Sequence, residues 1–176
     1  MAEEQIPASA ESDAAETTPV VINAQYVKDM SFEVPNAPGI FGEMQKTSPD
    51  INIDIRVNAV SLGENLFEVS ITINTNCDVG NHKGFIFELV YAGTFTLNVP
   101  EEHLQAVLLI ECPRLLFPFA RNIIADVTRD GGFPPVMLGL VDFVAMYHRR
   151  IQEQGAAAQN AEDATGVSTE AEVKPD

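Results

Sequence analysis

The chain has 176 residues, 45% of them hydrophobic, and a formal net charge of −16. That length suits one compact domain, since single domains cluster near ~100–150 residues. So acidic a surface argues against nucleic acid, whose binding needs a basic face to displace counterions from phosphates, and favours a basic protein partner.

The charge is unevenly placed. Met1 to Thr18 holds five acids and no base, and Gln152 to Asp176 holds six acids against Lys174 alone. Both stretches are rich in Ala, Ser and Thr and cannot bury enough apolar area to offset their ordering entropy. Residues 1–19 and 152–176 are therefore expected to be disordered acidic tails flanking one domain at 20–151. The start, MAEEQIPASAES, has no basic region followed by an apolar one, and no apolar run approaches the ~18 residues of a membrane span. A cytoplasmic protein without membrane insertion is the expectation.

After the first tail the hydrophobic period is 2. In VINAQYVKDMSFEV, strict alternation places Ile22, Ala24, Tyr26, Met30 and Phe32 on one face and Asn23, Gln25, Asp29, Ser31 and Glu33 on the other, with Val27. INIDIRVNA sets Ile51, Ile53, Ile55, Val57 and Ala59 against Asn52, Asp54, Arg56 and Asn58. LFEVSITINTN opposes Phe67, Val69, Ile71 and Ile73 to Glu68, Ser70, Thr72 and Asn74, and GFIFELVYAGTFTLN opposes Phe85, Phe87, Leu89, Tyr91, Phe95 and Leu97 to Ile86, Glu88, Val90, Thr94 and Thr96. Four strands with one apolar and one polar face predict an antiparallel sheet covered on one side.

VSLGEN and CDVGNHK carry the Gly and Asn of short hairpins. The connection between the first two strands, PNAPGIFGEMQKTSPD, is long and Pro/Gly-punctuated, yet carries Ile40, Phe41 and Met44. Its apolar residues argue for order and its length for a functional role.

Beyond Asn98 the period becomes helical. Pro100, Glu101 and Glu102 read as a helix start, and Pro113 as its end. A second helix should then begin within CPRLLFPFARNIIADV, with Pro118 in its first turn and Gly131-Gly132 closing it. Leu115, Leu116, Phe117, Phe119, Ala120, Ile123, Ile124 and Val127 cover about half of its circumference or more, wider than the ~100° stripe of a surface helix. Such a helix is expected either buried inside one large domain or between its own sheet and something else, and a chain of this length favours the second. A last amphipathic helix is expected from about Val141, with Val141, Val144, Ala145 and His148 or Ile151 near one stripe.

Residues for catalysis do not assemble. Glu101, Glu102 and His103 sit where a helix start favours acids, and Cys112 is flanked by apolar residues, as an inert buried thiol would be. Cys77 and Cys112 form neither a CxxC pair nor a metal-like cluster with the histidines, so reduced thiols and no metal or other cofactor are expected. The polar sheet face is more informative: Asp29 and Glu33 point the same way about 13 Å apart at ~3.3 Å per residue, and Ile86 and Glu88 share the corresponding face of the fourth strand. An apolar residue among acids suits docking of a basic partner.

YVKDMSFEVPNAP, CPRLLFPFARNIIADV and RDGGFPPVMLGLVDFVAMY closely resemble the SecB family of bacterial protein-export chaperones, over roughly Ile22 to Ile151. The resemblance implies an α+β fold, with a four-stranded antiparallel sheet and helices packed on one face. It also implies a homotetrameric dimer of dimers, with helices between two eight-stranded sheets, and no enzymatic activity. The implied function is to bind unfolded secretory precursors, keep them translocation-competent and deliver them to SecA.

The family's SecA contact, made with the basic zinc-bearing C-terminal tail of SecA, maps through YVKDMSFE to Asp29 and Glu33, and on the fourth strand to Ile86 and Glu88. Its client groove maps to Ile40, Phe41 and Met44, to Ile51, Ile53 and Ile55, and to Phe117 or Phe119. Phe87, Leu89 and Tyr91 correspond to positions that affect assembly, and Leu115, Leu116 and Ile123 would face neighbouring subunits. The family often has a tryptophan in the long loop, whereas this chain has none. Two other readings share parts of the pattern: a SecB-like chaperone serving a toxin–antitoxin pair, and a small thioesterase-like α+β enzyme, for which Asp126 is the one polar candidate near the apolar helix face.

Overall fold

The computed structural model describes residues 18–165; the two ends of the chain, 1–17 and 166–176, lie outside the described residues. Strands β1 (Val20–Glu33), β2 (Pro49–Gly63), β3 (Leu66–Val79) and β4 (His82–Leu97) pair antiparallel in the order β1-β4-β3-β2. The order explains the long first connection. Hairpins suffice for β2 to β4, with Asn65 and Gly80 at positive φ in their turns, whereas the chain leaving β1 must cross to the opposite edge of the sheet. The crossing is ordered around a short helix, α1 (Ile40–Glu43), whose Ile40 is buried in the core.

The inner face of β3 and β4 follows the alternation read from the sequence: Val69, Ile71, Ile73, Phe85, Phe87, Leu89 and Phe95 are fully buried. β1 departs from it. Its register against β4 shifts at Asn23 and again at Lys28, and each bulge moves the following residues to the other face. Val27 and Gln25 therefore lie opposite Tyr91 and Gly93 on the inner side, and the Tyr91 hydroxyl donates to Gln25 Oε1 at 3.3 Å. Tyr26 and Ala24, which strict alternation places inside, lie on the outer face opposite Ala92 and Thr94.

The helical part also differs from expectation at one point. Pro113 does not end a helix: α2 (Glu101–Ala106) continues through a π-helical turn, Val107–Glu111, into α3 (Cys112–Asp130). In that turn the Cys112 N–H bonds to the Val107 carbonyl. The wider winding falls where Pro113 has no N–H to give and where its ring would otherwise press on the carbonyl four residues earlier. Pro118 consequently sits inside α3 rather than in a first turn. It deprives the Arg114 carbonyl of a partner, but both residues are exposed, so water can supply the bond.

α3 stops at Gly131-Gly132, where Gly132 has φ of 86° and the Phe133 N–H reaches back to the Thr128 carbonyl at 3.0 Å. The buried Thr128 hydroxyl donates to Ile124 O at 2.7 Å and accepts from the Val136 N–H at 3.0 Å, tying the following segment to the helix. α4 (Phe143–Thr165) follows and extends past residue 152, the expected start of the second tail. Its packed side is Phe143, with Met146 and Tyr147 half-buried; Ala145, His148 and Ile151, expected on the contact stripe, are exposed. The difference arises because, among the described residues, the apolar contacts of α4 are made chiefly by Phe143, against Phe117 at 5.8 Å, and with the π turn.

The helix layer lies on the inner face, with α3 against β3 and β4. It comes close to β4 at Gly93, where an added Cβ would fall 2.8 Å from Leu116 Cδ2 and 3.1 Å from both the Ala24 carbonyl and the Phe95 ring. Gly93→Ala is expected to destabilise the fold by about 1–3 kcal/mol through overpacking, lowering the urea midpoint without changing the slope. An unchanged midpoint would mean that the helix is not seated as described.

Candidate functional site

On the outer face, β1 and β4 bring together the four residues singled out from the sequence. Glu33 pairs with Ile86 and Ser31 with Glu88, so Glu88 lies between Asp29 and Glu33 on the neighbouring strand. Asp29, Glu33 and Glu88 are exposed and Ile86 half-exposed. None of the three carboxylates has an ion-pair partner among the described residues.

The nearest cation in sequence, Lys28, is diverted. At its bulge it reaches Glu68 on β3, with Nζ to Oε1 at 2.5 Å, and the Tyr26 hydroxyl donates to the other carboxylate oxygen. The bonds from Lys28 and Tyr26 hold the Glu68 carboxyl below the usual carboxylate range, and Glu68 in turn raises the Tyr26 phenol. Alternation alone could not show this cluster, because it depends on the bulge that puts Tyr26 outside.

The inner face has two uncovered margins. Along β2, Ile51 and Ile53 are each 39% exposed although they face the core side, pairing with buried Cys77 and Thr75. Ile51 enters a cavity of about 200 Å³ lined also by Pro49, Phe85, Phe133 and Pro134. Phe133 stands edge-on to Phe85 at 5.0 Å and meets Phe41 of the crossover at 5.7 Å, so Phe41 supports this cavity through Phe133. Phe133 and Pro134 were not singled out from the sequence; FPP directly after the glycine stop was the available signal. Ile55, two residues beyond Ile53, enters a second cavity between β2, the π turn and α4.

The other proposed groove residues lie elsewhere. Ile40 is 1% exposed and anchors the crossover from beneath, and Met44 is half-buried beside it. Phe117 is 6% exposed and supports the root of α4. Phe119 projects toward β1 and stacks on Tyr91 at 6.1 Å, over a concavity lined with Pro118, Asn122 and Ile123.

That second margin also holds Leu115, spaced with Phe119 and Ile123 along one stripe of α3, and the exposed Val27 and Met30 of β1. Phe87, Leu89 and Leu116, by contrast, are fully buried inside the protomer. They are not available for direct contact with another chain.

The chemistry of the remaining polar groups is structural. Burial pushes the Cys112 thiol up to about 12, and also raises that of Cys77, so neither supplies a thiolate near neutral pH. Asp126 accepts from Asn122 at 3.0 Å and from Arg129 at 2.9 Å, an exposed helix-surface network rather than a poised base. His103 is a surface residue beside Glu102. No helix among the described residues is long and apolar enough to cross a membrane.

An α+β domain whose helix leaves apolar margins on one sheet face, with unpaired acids on the other, has the layout of a binding protein. The SecB family model, described as preprotein translocase subunit SecB, matches residues 13–154. A protein-export protein SecB of Rhodospirillum rubrum is 51% identical over 149 residues, spanning 84% of this chain and 92% of its own. One of Bradyrhizobium sp. strain BTAi1 is 53% identical over 154 residues, spanning 87% and 94%. The chain belongs to the SecB family. A solved structure of a Mycobacterium tuberculosis SecB-like chaperone, in complex with a ChAD peptide from the HigA1 antitoxin, shares the fold with a TM-score of 0.59 at 16% identity, covering 70% of this chain and 91% of that one.

The depressed Glu68 carboxyl sets a pH dependence. Because its folded value lies below its unfolded one, its contribution to stability is present above the usual carboxylate range and is lost as pH falls through the folded value. Glu68→Gln should therefore flatten the loss of stability below about pH 4, read from urea midpoints across the acid range. An unchanged acid slope would show that the Lys28–Glu68–Tyr26 cluster contributes nothing to it.

Proposed function

We propose that this chain is a cytoplasmic chaperone that holds unfolded secretory precursors and delivers them to SecA, with no catalytic step of its own. The observation that carries the client reading is the row Ile51, Ile53 and Ile55: aliphatic side chains on the core side of an edge strand, left partly open between two cavities. Burying one large client side chain there contributes about 1.5–3 kcal/mol. Several such contacts along an extended chain add up without any sequence being read. A folded protein has already buried those side chains, so binding discriminates states rather than sequences.

The groove is assigned to this row, with Phe41 as its crossover wall through Phe133 and Met44 behind it beside Ile40. Ile40, Phe117 and Phe119 act around it rather than in it. Leu115, Phe119, Ile123 and Tyr91, with the exposed edge of β1, are assigned to contacts between protomers in a dimer of dimers. The acids Asp29, Glu33 and Glu88 around Ile86 are assigned to the basic zinc-bearing tail of SecA. Three carboxylates on one face of two adjacent strands, without an ion-pair partner among the described residues, favour a cationic partner, and their attraction should weaken with salt. This patch also favours export over a role confined to a toxin–antitoxin pair. Asp126, already engaged, gives the thioesterase-like reading no base.

Glu88→Lys is expected to weaken SecA binding by about tenfold or more while leaving the affinity for a denatured precursor within about twofold, both by titration calorimetry. Equal losses would refute the separation of the two faces. Light scattering of the full chain should give a particle near four times 19.1 kDa that gains mass with a denatured precursor and not with the same precursor prefolded. A monomer indifferent to both would overturn the assignment.

A further inference from the structure

The four strands carry three Lys or Arg residues, Lys28, Arg56 and Lys83. Each pairs with a carboxylate other than Asp29, Glu33 and Glu88. Arg56 meets Asp54 at 2.7 Å, two residues earlier on the same strand. Lys83 meets Asp78 at 2.7 Å, its opposite number in the register of β3 and β4. Both are local pairs between side chains that the strands already set side by side.

Lys28 behaves differently. Asp29 follows it directly in the chain, yet the Lys28 ammonium passes over β4 to reach Glu68 on β3, with Nζ to Oε1 at 2.5 Å. That is a reach of two strand spacings, roughly 10 Å. The outer side chains of β4 are small along the way, with Ala92 opposite Tyr26 and Thr94 opposite Glu68. Tyr26 makes the same crossing, and its hydroxyl donates to the second oxygen of Glu68. The Glu68 side chain is only 14% exposed, against 50% for Lys28. A carboxylate withdrawn from water and bound by two donors holds a lysine better than a solvated one does, and Asp29 is exposed.

We infer that Glu68 is a positioning residue for the cationic partner: by holding the Lys28 ammonium on β3 it keeps Asp29 free, so that the face formed with Glu33 and Glu88 stays open to a basic peptide. The inference rests on the reading of these acids as a docking site. Without the charge on Glu68, the nearest carboxylate in the chain to Lys28 is Asp29. An ammonium tethered one residue away occupies that carboxylate intramolecularly, and an incoming cation has to displace it. Glu68 lies outside the contact itself, two strands from Asp29, and acts only through the lysine.

The test uses the full-length protein, a labelled peptide alternating Lys and Ser, and SecA. Binding is followed by fluorescence anisotropy for the peptide and by titration calorimetry for SecA, at ~0.1 M salt, where charges more than ~10 Å apart are largely screened. Glu68→Gln keeps the shape of the side chain and an acceptor for Tyr26; it is expected to weaken binding of both about fivefold. Glu68→Gln combined with Lys28→Gln should return both to within about twofold of the unsubstituted protein. Glu64→Gln makes the same change in net charge at an exposed position in the turn between β2 and β3, and should leave both within about twofold. At neutral pH the carbon resonance of the Asp29 carboxylate should move in Glu68→Gln and return in the double variant, a response that loss of a merely structural contact would not produce.

An unchanged affinity in Glu68→Gln, a loss that the double variant does not recover, or an unmoved Asp29 resonance overturns the inference. So does an equal loss in Glu64→Gln, which would make net charge alone responsible. SecA binding that is indifferent to Glu68→Gln removes this inference and leaves the SecA reading intact. Peptide binding that follows the expected pattern without any binding of SecA supports the role of Glu68 and removes SecA as the partner instead.

Discussion

One helix cannot cover a four-stranded sheet. A helix with its side chains is about 10–12 Å across, whereas four strands spaced at about 4.8 Å make a sheet about 19 Å wide. α3 sits over β3 and β4 in the middle, held close by the missing side chain at Gly93. Apolar residues on the inner faces of the two outer strands are then left at the margins. Val27 and Met30 on β1 and Ile51 and Ile53 on β2 are exposed for this geometric reason, and each margin is a place where another chain can bury what this one cannot.

The two margins differ because the helix layer is not symmetric about its axis. On the β1 side, α3 adds Leu115, Phe119 and Ile123 to the exposed strand residues, around a concavity that Pro118 and Asn122 also line. On the β2 side, the π turn, the segment after Gly132 and the start of α4 stand off from the strand and leave cavities at both ends of the isoleucine row. The π turn links the two margins, because it carries the helix past Pro113 unbroken and sets both where α3 lies and where Leu109 points.

The outer face stays polar, and its use depends on charge rather than shape. The bulge at Lys28 gives that lysine to Glu68 and leaves Asp29, Glu33 and Glu88 without a cation among the described residues. One sheet thereby carries exposed apolar side chains on one face and carboxylates on the other. On the reading proposed above, a partner attracted to the acids need not compete for the isoleucine row.

Alternation was enough to determine the inner residues of β2, β3 and β4, because those strands pair without a bulge through their central stretches and a side-chain period of 2 then maps directly onto two faces. The acidic cluster Asp29, Glu33, Ile86 and Glu88 was legible for the same reason, lying beyond the Lys28 bulge where the alternation of β1 holds. Tertiary structure decided what local pattern cannot encode. Bulges exchanged Tyr26 and Val27 between faces, and a π turn turned an expected break at Pro113 into a continuous helix, since backbone irregularities answer to packing rather than to local propensity. It also decided which greasy residues are spare. Phe117 and Phe119 are alike in sequence, but one lies under α4 and the other is half-exposed on Tyr91, because the angular position of each on the helix meets a different neighbour and only the folded chain supplies the neighbours.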